Sequence, residues 1–453
     1  MTCKRELGHL WSPGAECRWL LGTFAMSARF TGHRAYAPID SMIDLLITEE
    51  LDRQANTINL IAAANYLSPG VAAAMHPALE SVHCEGYPGQ RYHEGQAAAD
   101  AIEQLAIDRA CQLFGAEHAN VQPYRGTMAN LAAAMAVLKP NDSLLGLQTA
   151  AGGHYSTGGP LHLIGRMFRV IPYGVTLETS EVDYKQIAAI ARDERPGAIF
   201  CGDTSCPRLW NFEILRDIAE DVEAVLIADI SQSAGLIAGG AIPSPVTYAD
   251  IVTAATYKTL RGPRAGLILS TKSFAKQVDR AVYPICQGGT NVRTLAGVAA
   301  ALGEALTDSF KAYTLRVIEN SRCLASELAL WGFDLVSGGT DNHACLLNVG
   351  SMDVTGDVAA NWLASAGILS NGNQIPNDPN PPRRPSGLRF GTAAVTTLGI
   401  GRSEVTEIAA LIACILQNGG CPEKANDVRL QVAEIRNRFV NAGSHVLEAE
   451  GLD

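Results

Sequence analysis

Ala224-Val-Leu-Ile-Ala-Asp-Ile230 and, further on, Asp250-Ile-Val-Thr-Ala-Ala-Thr256 are short apolar runs without polar alternation. Strands read this way when helices cover both faces of their sheet. Working outward, similar runs recur at Gly266–Ser270, Ala198–Gly202, Phe168–Tyr173 and Ser143–Leu147. Amphipathic segments, Asp183–Arg195 and Ile214–Val222, lie between them, and Ala98–Phe114 repeats apolar residues at the helical period (Ile102, Leu105, Ala106, Ala110, Leu113) before Gly115, a helix-stop residue. The alternation predicts an α/β domain with a mostly parallel sheet. Past Val292 the pattern changes. One long helical stretch to about Trp331 is followed by strand candidates Asp334–Ser337 and Ala344–Val349, a helix at Asp357–Ala366, a Pro-rich loop at Pro376–Pro385 and a helical C-terminus. The expected organisation is an N-terminal extension (1–43), a large α/β domain with its arm (44–292), and a linking helix with a smaller α+β domain (293–453). For residues 1–25, a second start at Met26 or a disordered extension is the expectation, because the apolar patch Trp19–Phe24 is short for a signal peptide.

The composition narrows the function classes. Of 453 residues, 47% are hydrophobic and 18% charged, enough apolar material for a large core. Lys and Arg total 35 against 46 Asp and Glu, a net charge of −11 without basic blocks, which argues against a nucleic-acid or anionic-membrane partner. Eleven cysteines without a C-x-x-C pair suit a reducing cytoplasm and no structural metal.

Two strand ends carry the chemistry. Lys258, in Thr253-Ala-Ala-Thr-Tyr-Lys-Thr-Leu-Arg-Gly-Pro-Arg264, follows a strand and precedes a Gly-Pro turn, where α/β sheets bind ligands. A desolvated lysine can form a Schiff base with a carbonyl. Taken alone it reads far more readily as a solvated loop residue. Asp229 ends the Ala224 run, and pyridoxal phosphate (PLP), where its pyridine nitrogen is kept protonated, pairs such a carboxylate with a Schiff-base lysine; alone, such an Asp is as often a helix cap. Arg125-Gly126-Thr127 opens the helical run Met128–Leu138, an arrangement whose N–H groups face an anion.

From about residue 44 to 418 the chain resembles serine hydroxymethyltransferases, fold-type I PLP enzymes. The resemblance rests on Glu85-Gly-Tyr-Pro-Gly-Gln-Arg-Tyr92, Glu103-Gln-Leu-Ala-Ile-Asp-Arg-Ala110, Asn120-Val-Gln-Pro123, Gly152-Gly-His154, Thr259-Leu-Arg-Gly-Pro-Arg264, Gln287-Gly-Gly289, Ser337-Gly-Gly-Thr-Asp-Asn-His343 and Ser386-Gly-Leu-Arg-Phe-Gly-Thr392. It implies a large-domain sheet of the seven-stranded type, with Lys258 as the Schiff-base lysine, Asp229 at the pyridine nitrogen and His154 stacked on the ring. Gly126 and Thr127 hold the phosphate, with Gly288 and Gly289 contributed by a partner subunit. Arg389 binds the amino-acid carboxylate, Glu85 shuttles a proton near the substrate side chain, and Tyr92 lies beside it. Thr204, Gln232, Tyr257 and Arg125 complete the expected cofactor surroundings. A homodimer or tetramer is implied as well.

The chain departs from the family pattern around the substrate. Ser-Glu-Asn reads Ala63-Ala64-Asn65, the Tyr before Ala-Glu-Gly is His83, and Arg-Tyr-Tyr reads Arg91-Tyr92-His93. The His-Ser-Gly-Ser phosphate loop reads Tyr124-Arg125-Gly126-Thr127, Asp-x-Ala-His reads Asp229-Ile-Ser-Gln232, and the His before the lysine is Tyr257. Ala63, His83 and His93 are therefore expected at the substrate, and Arg125 as a cation for the phosphate or a second anionic group. Thr149 and Tyr155 replace leucines that flank the family's folate site, which makes tetrahydrofolate use doubtful. The leading expectation is aldol-type chemistry at the α-carbon of a small amino acid of the glycine/serine type, with an aldehyde or one-carbon unit as second reactant. The alternatives are a folate-independent threonine or α-substituted-serine aldolase or transaldolase, and a racemase, decarboxylase or transaminase.

Overall fold

The computed structural model describes residues 40–176, 178–202 and 204–448. Almost all of the expected N-terminal extension, including Met26, lies outside the described residues. The chain then runs through α1 (Ser41–Ala55), β1 (Ile58–Asn59), the hairpin β2 (Gly86–Tyr87) and β3 (Gln90–Arg91), α2 (Ala97–Phe114), β4 (His118–Asn120) and α3 (Gly126–Val137). Next come β5 (Ser143–Leu147), β6 (Arg169–Tyr173), α4 (Tyr184–Glu194), β7 (Ala198–Gly202), α5 (Phe212–Asp221), β8 (Val225–Asp229), β9 (Ile251–Ala255) and β10 (Gly266–Ser270). After α6 (Val292–Ala305) and α7 (Asp308–Leu330) follow β11 (Asp334–Leu335), β12 (Ala344–Asn348), α8 (Gly356–Ser365), β13 (Ile368–Leu369), β14 (Asn371–Asn373), β15 (Gly387–Gly391), α9 (Arg402–Gln417) and α10 (Pro422–Glu448).

The chain divides between Gln54 and Ala55 into two compact units, the first of which holds helix α1 up to Gln54. The helix buries none of its residues, and Met42, Ile43, Leu45, Leu46, Ile47 and Leu51 are all exposed.

In the larger unit the main sheet has the order β4-β10-β9-β8-β7-β5-β6. Pairings β5–β6, β5–β7, β7–β8 and β8–β9 are parallel, while β10 runs antiparallel to both β9 and β4. Its strands are buried on both faces because alternate residues enter different cores. Leu145, Ile199, Leu226, Ala228 and Val252 pack with α2, α4, α5 and α6 through Ala106, Ile187, Leu215 and Leu302. Their neighbours Leu144, Phe200, Ile227 and Ile251 pack on the other face with Ala129, Ala132 and Ala133 of α3. The continuous apolar runs were therefore a correct sign of a doubly covered sheet. Gly115 caps α2 in the left-handed region, φ 68°.

A second sheet, β11-β12-β15-β14, is antiparallel, and its core joins Leu347, Leu388 and Phe390 to Leu324, Leu363 and Ile412. The long helical stretch expected from Val292 is two helices. Thr307 interrupts it as an N-cap, accepting from the Phe310 N–H at 3.3 Å, with Asp308 in the first turn of α7. The strand expected over Asp334–Ser337 stops at Leu335, and Val336–Gly338 closes into a 3₁₀ turn with Ser337 at φ 56°.

Candidate active site

Four parallel strands deliver their carboxyl ends to one edge of the main sheet. Strand β8 ends at Asp229, β9 runs into Tyr257 and Lys258, β5 leads to His154, and β7 leads to Thr204. Gly126, Thr127, His154, Asp229, Tyr257 and Lys258 share a cleft with Asn130, Ser156, Ser231 and Ala255. Lys258 and Asp229 are buried, 7% and 8% exposed, so the lysine is no solvated loop residue. The turn that carries His154 depends on glycine. Gly152 has φ 101°, and a Cβ on Gly153 would lie 2.1 Å from the Leu147 carbonyl oxygen.

A chain of hydrogen bonds sets the states of these groups. The Asn130 amide donates to Asp229 Oδ2 (2.7 Å) and to Ser156 Oγ (2.8 Å), while its oxygen accepts from Thr253 Oγ1 (2.5 Å). Asp229 Oδ1 accepts from the Ser231 N–H at 2.8 Å. The Ser156 N–H points at His154 Nδ1 (3.2 Å), and Ser156 Oγ lies 2.7 Å from the same nitrogen. Nδ1 is thus an acceptor, which leaves the ring proton on Nε2. Burial depresses the His154 pKa. Asp229 opposes this, and Lys258, His162 and Arg389 reinforce it, so the ring stays neutral at physiological pH.

The phosphate end fits an anion. No side chain caps α3, so the N–H groups of its first turn have no acceptor within the helix, and the exposed cation Arg125 occupies the N-cap position. A cation at the positive pole of a helix is unfavourable unless an anion joins them. A Cβ on Gly126 would come within 3.1 Å of Ala255 Cβ and Ser231 Oγ, so backbone approaches the cleft where a larger residue would crowd it. Gln232 donates to Thr204 Oγ1 at 3.1 Å, while its buried Oε1 has no partner. These features suit a planar phosphorylated aldehyde, with Lys258 for the aldehyde and Asp229 for a ring N–H.

Arg389, on β15, is held from two sides. Its Nη1 donates to the Thr204 carbonyl and, at 3.3 Å, to Thr204 Oγ1, while Nε and Nη2 donate to Asn371 Oδ1 at 3.2 and 3.1 Å. Ala63 lies half-buried in the turn between β1 and Asn65, beside Ala62, whose carbonyl accepts from buried His343 Nε2 at 3.2 Å. Asn65 donates to the Lys258 carbonyl (2.8 Å) and to the Tyr313 hydroxyl (2.9 Å), fixing the backbone that carries the lysine.

Glu85, His83, His93, Tyr92, Gly288 and Gly289 form a second group around the β2–β3 hairpin. Glu85 lies 3.7 Å from His83 and 3.5 Å from His93. The Tyr92 N–H donates to the Glu85 carbonyl (3.3 Å), and the Tyr92 ring meets Tyr283 edge-on at 6.1 Å. Gly289 packs against Glu85, since a Cβ there would lie 2.8 Å from Glu85 Cγ. Gly288 has open space around it. Neither glycine lines the Lys258 cleft of this chain. The Tyr124 hydroxyl donates to the Gly289 carbonyl, linking the phosphate loop to this group.

Asn130, Ser156, Asn65 and Arg91 had not been singled out as site residues. Asn130 carries a signal in the sequence, as a lone amide within the alanine-rich, buried run of α3. Among the described residues no cysteine is disulfide-bonded, and no helix is long and apolar enough to cross a membrane.

The family model described as serine hydroxymethyltransferase matches residues 37–412. Similar relatives named serine hydroxymethyltransferase include one from a Nostoc species, 45% identical over 88% of this chain and 94% of the relative. One from Acidothermus cellulolyticus is 47% identical over 83% of this chain and 88% of its own, and one from a Synechococcus species is 45% identical over 89% and 96%. A cleft that gathers a buried lysine, a strand-end carboxylate and a bare helix N-terminus, in a chain matched over most of its length, makes this protein a member of the serine hydroxymethyltransferase family.

Proposed function

We propose that this chain interconverts serine and glycine with tetrahydrofolate as the one-carbon carrier, as a PLP-dependent enzyme. The carrying observation is that Lys258, Asp229, His154 and the N-terminus of α3 share one cleft in a chain about 45% identical to enzymes named for this activity. The doubt about tetrahydrofolate, which rested on Thr149 and Tyr155, finds no support in these relatives. The aldolase, transaldolase, racemase, decarboxylase and transaminase readings are not favoured by them.

When bound, PLP supplies an electron sink for charge at the substrate α-carbon. The residues of this chain do the rest. Lys258 provides the amine that holds the aldehyde. Asp229, fixed by Asn130 and Ser231, keeps the pyridine nitrogen protonated. The neutral His154 ring covers the cofactor face without adding a positive charge. Gly126 and Thr127 offer N–H groups to the phosphate, with Arg125 as its counter-charge, and Gly288 and Gly289 of a second copy complete the cradle. Thr204, Gln232 and Tyr257 border the ring. Arg389, oriented by Asn371 and Thr204, takes the substrate carboxylate through a guanidinium fork. Glu85 moves a proton at the substrate side chain, with Tyr92, His83 and His93 around it, and Ala63 leaves room beside the substrate. The working unit is a homodimer or tetramer in the cytoplasm, acting on small molecules. The large domain spans about 44–292 and the small one 293–453.

The test is an absorbance spectrum of the purified chain supplied with PLP. A bound-cofactor band in the visible that disappears in Lys258→Ala supports the assignment. Equal cofactor spectra in both proteins contradict it.

A further inference from the structure

Outside the cofactor cleft, the described residues bring two imidazoles and a carboxylate together at one point. His83, Glu85 and His93 place their ligand atoms all within 4.8 Å of one another. The hairpin explains the convergence. Cys84 is turned into the core and its backbone is bridged to Thr290, so His83 and Glu85, one residue to either side, project away from it together. His93 follows Tyr92, which lies opposite Glu85 across the extended β2–β3 ladder. The frame is stiff. Arg91 joins Glu103 at 2.6 Å and Asp100 at 2.8 Å, and the Gln96 amide donates to the His83 carbonyl at 3.2 Å.

The separations are informative. Neither histidine nitrogen reaches hydrogen-bond distance of the carboxylate, at 3.7 and 3.5 Å. With metal–ligand bonds of about 2.0–2.2 Å, two ligands at a tetrahedral centre lie roughly 3.3–3.5 Å apart. The two distances end on different carboxylate oxygens, Oε1 for His83 and Oε2 for His93, and one ligand atom from each residue lies within 4.8 Å of the others, so small rotations of the exposed imidazoles bring the set to that spacing. Two imidazoles and one carboxylate select zinc and its borderline neighbours over calcium or magnesium, which prefer oxygen alone. In the single chain, side-chain exposures of 74% for His83, 31% for Glu85 and 47% for His93 leave an entry path and a fourth position for water.

We propose that His83, Glu85 and His93 form a binding site for one Zn²⁺-class ion per chain, with its fourth position open to solvent. A bound ion ties up the Glu85 carboxylate. Zinc then inhibits turnover reversibly, a consequence that rests on the proton-shuttle reading of Glu85, whereas binding itself does not.

The experiment is a competition titration of zinc between a chromophoric chelator and the purified full chain, with cobalt(II) absorption as a second readout. The expected result is one ion per chain, with affinity falling at least about tenfold in His83→Ala and in His93→Ala, and unchanged in His118→Ala, whose ring pairs with Asp279 at 2.9 Å elsewhere. Absence of stoichiometric binding, or equal affinity in the wild type and both hairpin variants, overturns the proposal. The readout is metal bound rather than product formed, so failure of the assigned activity leaves it intact.

Discussion

Asn130 holds three polar side chains at once, since its amide reaches Asp229 and Ser156 while its oxygen takes the Thr253 hydroxyl. Replacement by Ala leaves a buried carboxylate short of a donor and frees Ser156 from its fixed role toward His154, a loss of about 1–3 kcal/mol in such settings. Asn130→Ala should therefore lower kcat about tenfold or more and move the pH profile of kcat, which steady-state kinetics across pH will read; a variant that only folds less well would leave that profile in place. A second prediction concerns His343. Burial, with Arg389 and Lys258 adding to it, lowers its pKa from 6.5 to about 3. Its folded pKa is depressed, so the stabilisation is full above about pH 6.5 and is lost as the unfolded chain takes up the proton, by up to about 1.4 kcal/mol per pH unit. Between pH 6.5 and 4, His343→Gln should lose stability less steeply than wild type in denaturant titrations. Lys258 and Asp229 stand out in the sequence as polar groups at strand ends, but alone each reads as a loop lysine or a helix cap, and the ordered motifs around them decide the reading. Asn130 acts through partners distant in sequence, and Ser156 is tied to it across 26 residues, which no local pattern exposes.

The hairpin that carries Glu85 stands on a buried ion-pair cluster. Arg91 donates to Asp100, Glu103 and the Gly86 carbonyl, and Gln122 bonds both Glu103 and that carbonyl. Burial raises the Glu103 pKa, and the Arg91 and Gln122 bonds pull it back. Removing the guanidinium strands that charge, so Arg91→Met should cost about 3–5 kcal/mol in denaturant unfolding. Arg91→Lys should recover only part, since one ammonium cannot span three acceptors in a fork. The main strands could be placed within a residue or two because their apolar runs are unbroken. Strands β4, β14 and β15, like the two-residue strands β1, β2, β3 and β13, carry no strand signal in the sequence. β4 has only three residues, and β15 carries glycine at both ends and Arg389 at its centre, so neither reads as an apolar run. The division of the long helix at Thr307 was equally hidden, although Thr-Asp is an N-cap signal, because apolar periodicity continues across it.

At the scale of the whole molecule, α1 presents six exposed apolar side chains, more than a solvated helix ordinarily shows in one place. If a second copy covers them, Leu46→Glu with Leu51→Glu should weaken self-association at least about tenfold in sedimentation equilibrium, and an unchanged oligomer would exclude α1 from the interface. The α/β class is readable from the alternation of apolar runs with helical segments, and the cofactor chemistry from strand-end residues set within ordered motifs along the chain. The doubt about the one-carbon carrier gave two substituted leucines, Thr149 and Tyr155, more weight than the match along the whole chain, and the relatives lend it no support. The most direct test of the account is conversion of serine to glycine by the PLP-loaded protein with and without tetrahydrofolate, beside Lys258→Ala. The account predicts glycine formation that requires tetrahydrofolate and vanishes in Lys258→Ala; a PLP-loaded protein that leaves serine unchanged, or consumes it equally without tetrahydrofolate, would contradict it.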